Sequence, residues 1–161
     1  MVEFQVNSSM GDATASVKRQ GKIEDITITK TLYEKEVSVR WMNSLKTAIR
    51  YKIIRTGHWN RNAEIRKGNK LLGSVKTNLG FSSTIQITNG NGTAFEIKEN
   101  KHPLKREFEI LKDGARIGTF HLNGIHFPLI SHAGKGIHGY YNHLKPTEEE
   151  LLVTSIIALG V

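Results

Sequence analysis

The chain contains no cysteine. That absence excludes a disulfide framework, a thiol nucleophile and any zinc site built from thiolates. It fits a reducing compartment. Proline is scarce at 3 residues, and with 15 glycines collagen-like and low-complexity readings fail. No run of sequence approaches the ~20 apolar residues of a membrane span. The first thirty residues hold no apolar core of a secretory signal. The low hydrophobicity that marks disorder is also missing, because 38% of residues are apolar and 24% charged. What remains is 161 residues, about one domain's worth. A chain of that size buries about two-thirds of its surface, enough for one core. The expectation is a single soluble cytoplasmic domain spanning residues 1–161.

Charge is unevenly spread. The formal net charge is +8, from 23 basic and 15 acidic residues. Residues 1–44 hold 6 of each sign and residues 79–161 hold 8 of each. Residues 45–78 hold 9 basic residues against Glu64 alone, so 9 − 1 = 8 and the whole excess sits there. A localised excess points to an anionic partner more than a uniform one would.

Short alternating segments recur along the chain: Val2, Phe4, Val6; Ile26, Ile28; Val37, Val39, Trp41; Ile49, Tyr51, Ile53. The pattern continues through Ala63, Ile65; Leu71, Gly73, Val75; Ile85, Ile87; Phe95, Ile97; Phe108, Ile110; and Phe120, Leu122. Period two with β-branched and aromatic residues predicts half-buried strands, with the named residues facing inward. Turn signals fall between them at Lys67-Gly68-Asn69, Asn89-Gly90-Asn91-Gly92 and Lys112-Asp113-Gly114. Residues 41–48 read as a turn entering a strand. Roughly a dozen short strands predict a closed antiparallel sheet.

An internal repeat supports a meander. Glu64-Ile65-Arg66-Lys67 recurs as Glu109-Ile110-Leu111-Lys112, and Leu72-Gly73-Ser74-Val75 as Ile117-Gly118-Thr119-Phe120. Tyr51-Lys52-Ile53 resembles Phe95-Glu96-Ile97, and His58 resembles His102. Each copy reads as a strand followed by a hairpin.

The C-terminus predicts the one clear helix, over residues 147–161. Thr147 and Glu150 form a candidate capping box. Glu148, Glu149 and Glu150 suit the positive end of the helix dipole. From Leu151 to Val161 no face carries a charge, and a helix apolar all round must be buried all round. Fifteen residues reach about 22 Å, short of a bilayer core of about 30 Å. The helix therefore either packs on one sheet face or threads a barrel. The many strands favour the barrel, with Leu151, Leu152, Ile156 and Leu159 hidden from solvent.

This order of features resembles the tubby C-terminal-like superfamily, in its LURP-one-related and small bacterial branch, which is itself similar to phospholipid scramblases. The residues carrying the resemblance are Tyr51-Lys52-Ile53, the unit from Arg106 to Gly114, and the closing Leu151-Leu152-Val153 with Ile156-Ile157-Ala158-Leu159. The resemblance implies a barrel of about twelve antiparallel strands around a hydrophobic C-terminal helix. The tubby proteins themselves bind phosphoinositides through basic residues, whereas many small relatives have no established activity, so the resemblance implies fold more strongly than function. Gly160-Val161 stands where the family usually has an acidic residue, and residues 124–145 do not align.

Candidate sites follow from the charge. If Ile49, Tyr51 and Ile53 face the core, Lys46, Arg50 and Lys52 share the outer face, with alternate residues about 6.6–6.8 Å apart. Arg66 and Lys76 are expected to join this basic ladder from neighbouring strands. Such a surface suits phosphate head groups, a membrane surface or nucleic acid. A plain solvated strand face that blocks edge pairing is the competing reading. Only Trp41, Tyr51 and Trp59 lie near as rings, too few for a single-strand stacking platform.

His121, His126, His132, His138 and His143 fall close together without any Asp or Glu between them. Their spacing matches no helical zinc pair, so a metal-dependent enzyme built on them is an alternative and not the expectation. Ser74 and Ser131-His132 lack a context that activates a nucleophile. Gly134-Lys135-Gly136 and Gly90-Asn91-Gly92 lack the spacing of a phosphate loop. The expectation is a non-enzymatic module with no cofactor and no catalytic or metal site. It would associate peripherally with anionic lipid, with nucleic-acid binding as the alternative.

Overall fold

Period-two alternation becomes a barrel when each strand finds two neighbours. The computed structural model describes residues 1–8, 13–31, 35–56, 62–78, 84–102, 105–123 and 135–161. They form β1 (Val2–Ser8), β2 (Ala13–Arg19), β3 (Lys22–Lys30), β4 (Glu36–Met42), β5 (Ala48–Thr56) and β6 (Asn62–Lys67). There follow β7 (Lys70–Asn78), β8 (Thr84–Asn89), β9 (Gly92–His102), β10 (Lys105–Lys112), β11 (Ala115–Asn123), β12 (Lys135–Tyr141) and a helix, α1 (Pro146–Gly160). Every strand pairs antiparallel with its chain neighbours, and β12 pairs with β1, from Val2 opposite Tyr141 to Ser8 opposite Lys135. The sheet is a closed meander with no free edge.

Eight strands leave room only for side chains, so twelve leave a lumen that something must fill. The inward residues Phe4, Val6, Ile26, Val39, Ile53, Ile65, Ile87, Ile97, Ile110 and Phe120 are buried, and α1 occupies the space between them. Leu152, Thr154, Ser155, Ile156 and Ile157 are fully buried on every side of the helix. Leu159 is only partly buried, against the expectation that it would be hidden. Among the described residues no helix is long and apolar enough to cross a membrane.

The start of the helix differs from its predicted cap. Helical residues begin at Pro146, Lys145 takes the N-cap position, and no side chain caps it. Thr147 is thus inside the first turn and makes no capping box. The glutamates are used differently. Glu148 accepts from Lys112 Nζ at 2.8 Å, Glu149 accepts from Arg19, and Glu150 accepts from Lys67 Nζ at 3.0 Å. Successive helix residues point about 100° apart. Their partners lie on β10, β2 and β6, four strands apart in the twelve-strand ring. Three consecutive carboxylates therefore centre the helix against three thirds of the rim.

The two copies of the repeat fold alike. Strand register slips after Ile65 opposite β7 and after Ile110 opposite β11, a bulge in each hairpin. The slip in the first copy turns Leu71 out to solvent, although simple alternation puts it inside. Beyond each bulge the sheet backbones crowd a glycine. A Cβ on Gly73 would lie 2.1 Å from the Thr88 carbonyl oxygen, and one on Gly118 would lie 2.2 Å from that of Tyr140.

Two strands were weakly marked in the sequence. In β2 the inward residues are Ala13, Ala15 and Val17, mostly small. In β12 the glycines Gly136 and Gly139 interrupt the pattern, yet this strand closes the barrel. Trp41 and Met42 still belong to β4, so the turn predicted at residues 41–48 is confined to residues 43–47. His58, Trp59, His126, Ser131 and His132 lie outside the described residues.

Candidate functional site: a basic groove on the outer face

The outward residues of β3, β4 and β5 make two rows across the sheet. Thr27 lies opposite Arg40, and Arg40 opposite Arg50. Thr29 lies opposite Ser38, Ser38 opposite Lys52, and Lys52 opposite Arg66. Thr27, Thr29, Ser38, Arg40, Arg50 and Lys52 line a groove of about 500 Å³, bordered by Gly68 and Asn69 of the β6–β7 hairpin.

Arg40 and Arg50 are exposed and, among the described residues, their side chains make no hydrogen bond or ion pair. Directly opposed like charges destabilise a sheet pair. Two guanidiniums kept side by side without a counter-charge form a site that an anion would relieve. The hydroxyls of Thr27, Thr29 and Ser38 add donors at the same surface. A guanidinium presents a planar fork that suits phosphate and carboxylate oxygens. Lys52 is neutralised at the groove's edge by Glu36, at 2.8 Å.

The predicted basic ladder is thus brought together in part. Arg50 and Lys52 share the groove, and Arg66 lies beside Lys52 but pairs with Glu64 at 3.0 Å. Lys46 is not on the strand face. It sits in the turn between β4 and β5 with φ of 57°. Lys76 is exposed near the far end of the barrel, where β7 faces Asn62 and β6 in turn pairs Asn62 with Thr56. Six residues of β5 separate Thr56 from Arg50, about 20 Å of extended chain. Arg40 was missed because residues 1–44 are neutral as a block. The alternation Val37, Val39, Trp41 does place it outward, but only the β4–β5 register sets it against Arg50.

A second cluster lies inside the rim where α1 begins, around a cavity of about 160 Å³. Glu24 is buried and accepts from Trp41 Nε1 at 2.8 Å, Arg19 at 3.0 Å and the Ser44 amide at 3.0 Å. Glu149 accepts from Tyr141 Oη at 2.7 Å as well as from Arg19. Burial opposes the charge on Arg19, but its hydrogen bonds to Glu149 and Glu24 outweigh that and raise its pKa. Burial, reinforced by the Glu149 carboxylate, pushes the Tyr141 phenol far above its ordinary range. Arg19 bridges the two carboxylates, so this pair locks helix to barrel.

Among the described residues the histidines form no metal-ligand cluster. His121 and His138 are opposite each other on the outer face, and His138 Nε2 lies 2.8 Å from Glu3. That hydrogen bond holds the Glu3 carboxyl below its ordinary value. Among the described residues no group of three His, Asp or Glu side chains could hold a metal ion. Ser74 shares a hydrogen bond with the Thr88 hydroxyl at 2.7 Å.

No protein-family model, curated protein or solved structure matches this chain.

Proposed function

We propose that this barrel is a non-enzymatic cytoplasmic module that binds anionic phospholipid at a membrane surface through the groove around Arg40 and Arg50. The observation that carries the reading is the pair of directly opposed, unpartnered guanidiniums. Kinship with the tubby C-terminal-like superfamily belongs to the same proposal and is supported by the twelve-strand barrel around a C-terminal helix. Nucleic acid is the weaker fit, because Trp41 and Tyr51 are buried and offer no stacking platform.

Each basic residue near an anionic surface contributes about 1 kcal/mol. Arg40→Glu/Arg50→Glu should therefore weaken binding to phosphatidylserine vesicles roughly a hundredfold or more, as read by flotation at low salt. Its thermal midpoint should stay close to wild type, because exposed charges add little stability. Binding by the double variant equal to wild type would remove the groove from the function. Wild-type protein that ignores anionic vesicles at low salt would end the lipid reading.

A further inference from the structure

Among the described residues five large hydrophobic side chains are exposed: Met1, Ile23, Leu45, Leu71 and Tyr140. All five lie at the rim where α1 enters. Ile23 follows the β2–β3 turn, Leu45 is in the β4–β5 turn, and Leu71 follows the β6–β7 turn. Met1 and Tyr140 flank the Val2–Tyr141 pair at the same end. The three hairpin residues are 63%, 83% and 51% exposed. Each is adjacent in sequence to an exposed lysine: Lys22, Lys46 and Lys70. Among the described residues none of these lysines has an ion-pair partner. The other two hairpins of this rim, at Asn89–Gly92 and Asp113–Gly114, present no large hydrophobic residue.

A single exposed leucine is ordinary. Three aliphatic–lysine pairs on three consecutive hairpins of one arc are a pattern. An aliphatic tip with a lysine beside it matches a lipid interface, where the side chain enters the acyl boundary and the ammonium reaches back to phosphate. The groove is placed to act with it. Gly68 and Asn69, in the hairpin that carries Lys70 and Leu71, form its wall. Thr27 of the groove is four residues along β3 from Ile23, about 13 Å of strand.

We infer that the β2–β3, β4–β5 and β6–β7 hairpins insert Ile23, Leu45 and Leu71 into an anionic bilayer interface, so that the barrel docks by one arc of this rim with the Arg40–Arg50 groove at head-group level. This rests on the lipid reading above and adds the orientation. The separated tips, each with an unpaired cation, suit a fluid anionic surface better than the contiguous apolar patch of a protein interface.

The chain has no cysteine, so single-cysteine variants give clean labelling. Ile23→Cys, Leu45→Cys, Leu71→Cys and Asn91→Cys would each carry an environment-sensitive fluorophore and be titrated with phosphatidylcholine vesicles containing phosphatidylserine. Blue shifts at the first three tips, with none at Asn91, are the expected result. Ile23→Ser/Leu45→Ser/Leu71→Ser should keep the fold and lose at least about tenfold in vesicle affinity. If wild type floats with vesicles but the three tips stay silent, or Asn91 responds equally, the docking arc is wrong and the lipid reading stands. If the tips respond without vesicles as protein concentration rises, they pair with a second copy and the inference falls. If wild type does not float at all, both readings fall together.

Discussion

The two copies of the repeat, β5–β7 and β9–β11, are one structure carrying two surfaces. Equivalent residues stand 44 or 45 positions apart, as Ile53 and Ile97, or Gly73 and Gly118, do. Both copies bulge at the same place, and both aim a hairpin lysine at the helix, Lys67 to Glu150 and Lys112 to Glu148. Outside, they part. In the second copy Lys98 pairs with Glu96, Arg106 with Glu99 and Arg116 with Glu109. In the first, Arg50 is left without a counter-charge opposite Arg40. Inward positions and crowded glycines are held by packing, which both copies share. Outward positions are nearly free of that constraint, so the copies could diverge there in charge at little cost to the fold.

The largest break in the shared part is removal of the helix. Deleting residues 150–161 empties the lumen of both copies at once and should abolish any cooperative thermal transition. A folded truncation would show that the strands pack without it. Next come the glycines. Gly73→Ala and Gly118→Ala each push a Cβ into sheet backbone and should each lower unfolding free energy by about 3 kcal/mol, measured by denaturant titration. Near-equal losses would mean the copies are energetically as well as geometrically equivalent.

The three helix glutamates sharpen the comparison further. Glu149, the buried one, holds Arg19 and Tyr141, so Glu149→Ala should cost about 2–3 kcal/mol. Lys112→Ala and Lys67→Ala remove partly exposed pairs and should cost about 0.5 kcal/mol each. The Lys112 pair also carries a pH signature. The hydrogen bond from Lys112 Nζ holds the Glu148 carboxyl below its ordinary 4.5. The stability from a depressed carboxyl is present above the unfolded value and lost as pH falls through the folded one. Wild type should therefore lose this small increment below about pH 4.5, and Lys112→Ala should flatten that part of the acid-stability curve. An unchanged curve would mean the pair adds nothing.

Much of the fold can be read locally. Val2, Phe4 and Val6, or Val37, Val39 and Trp41, declare their inward face because strand side chains alternate by geometry alone. The uncharged run after Glu150 declares a helix buried on all sides by the same kind of reasoning. Where local signal is weak the reading fails: small side chains conceal β2, and glycines conceal β12. Leu71 also reads wrongly, because the bulge that turns it out depends on how β6 meets β7.

The basic groove was legible to the same degree. Arg50 and Lys52 were visible as outward cations in the only charge-imbalanced segment. Arg40 was not, since its importance lies in the residue across from it. Sequence by itself thus determined the inward face of the strongly alternating strands, where the helix runs and which stretch is basic, because periodicity and composition are properties of neighbours along the chain. Only the tertiary structure decided that Arg40 meets Arg50, that Lys46 and Lys76 stand apart from them, and that three successive glutamates reach three thirds of the rim. Register and closure pair residues distant along the chain, and no local pattern records them.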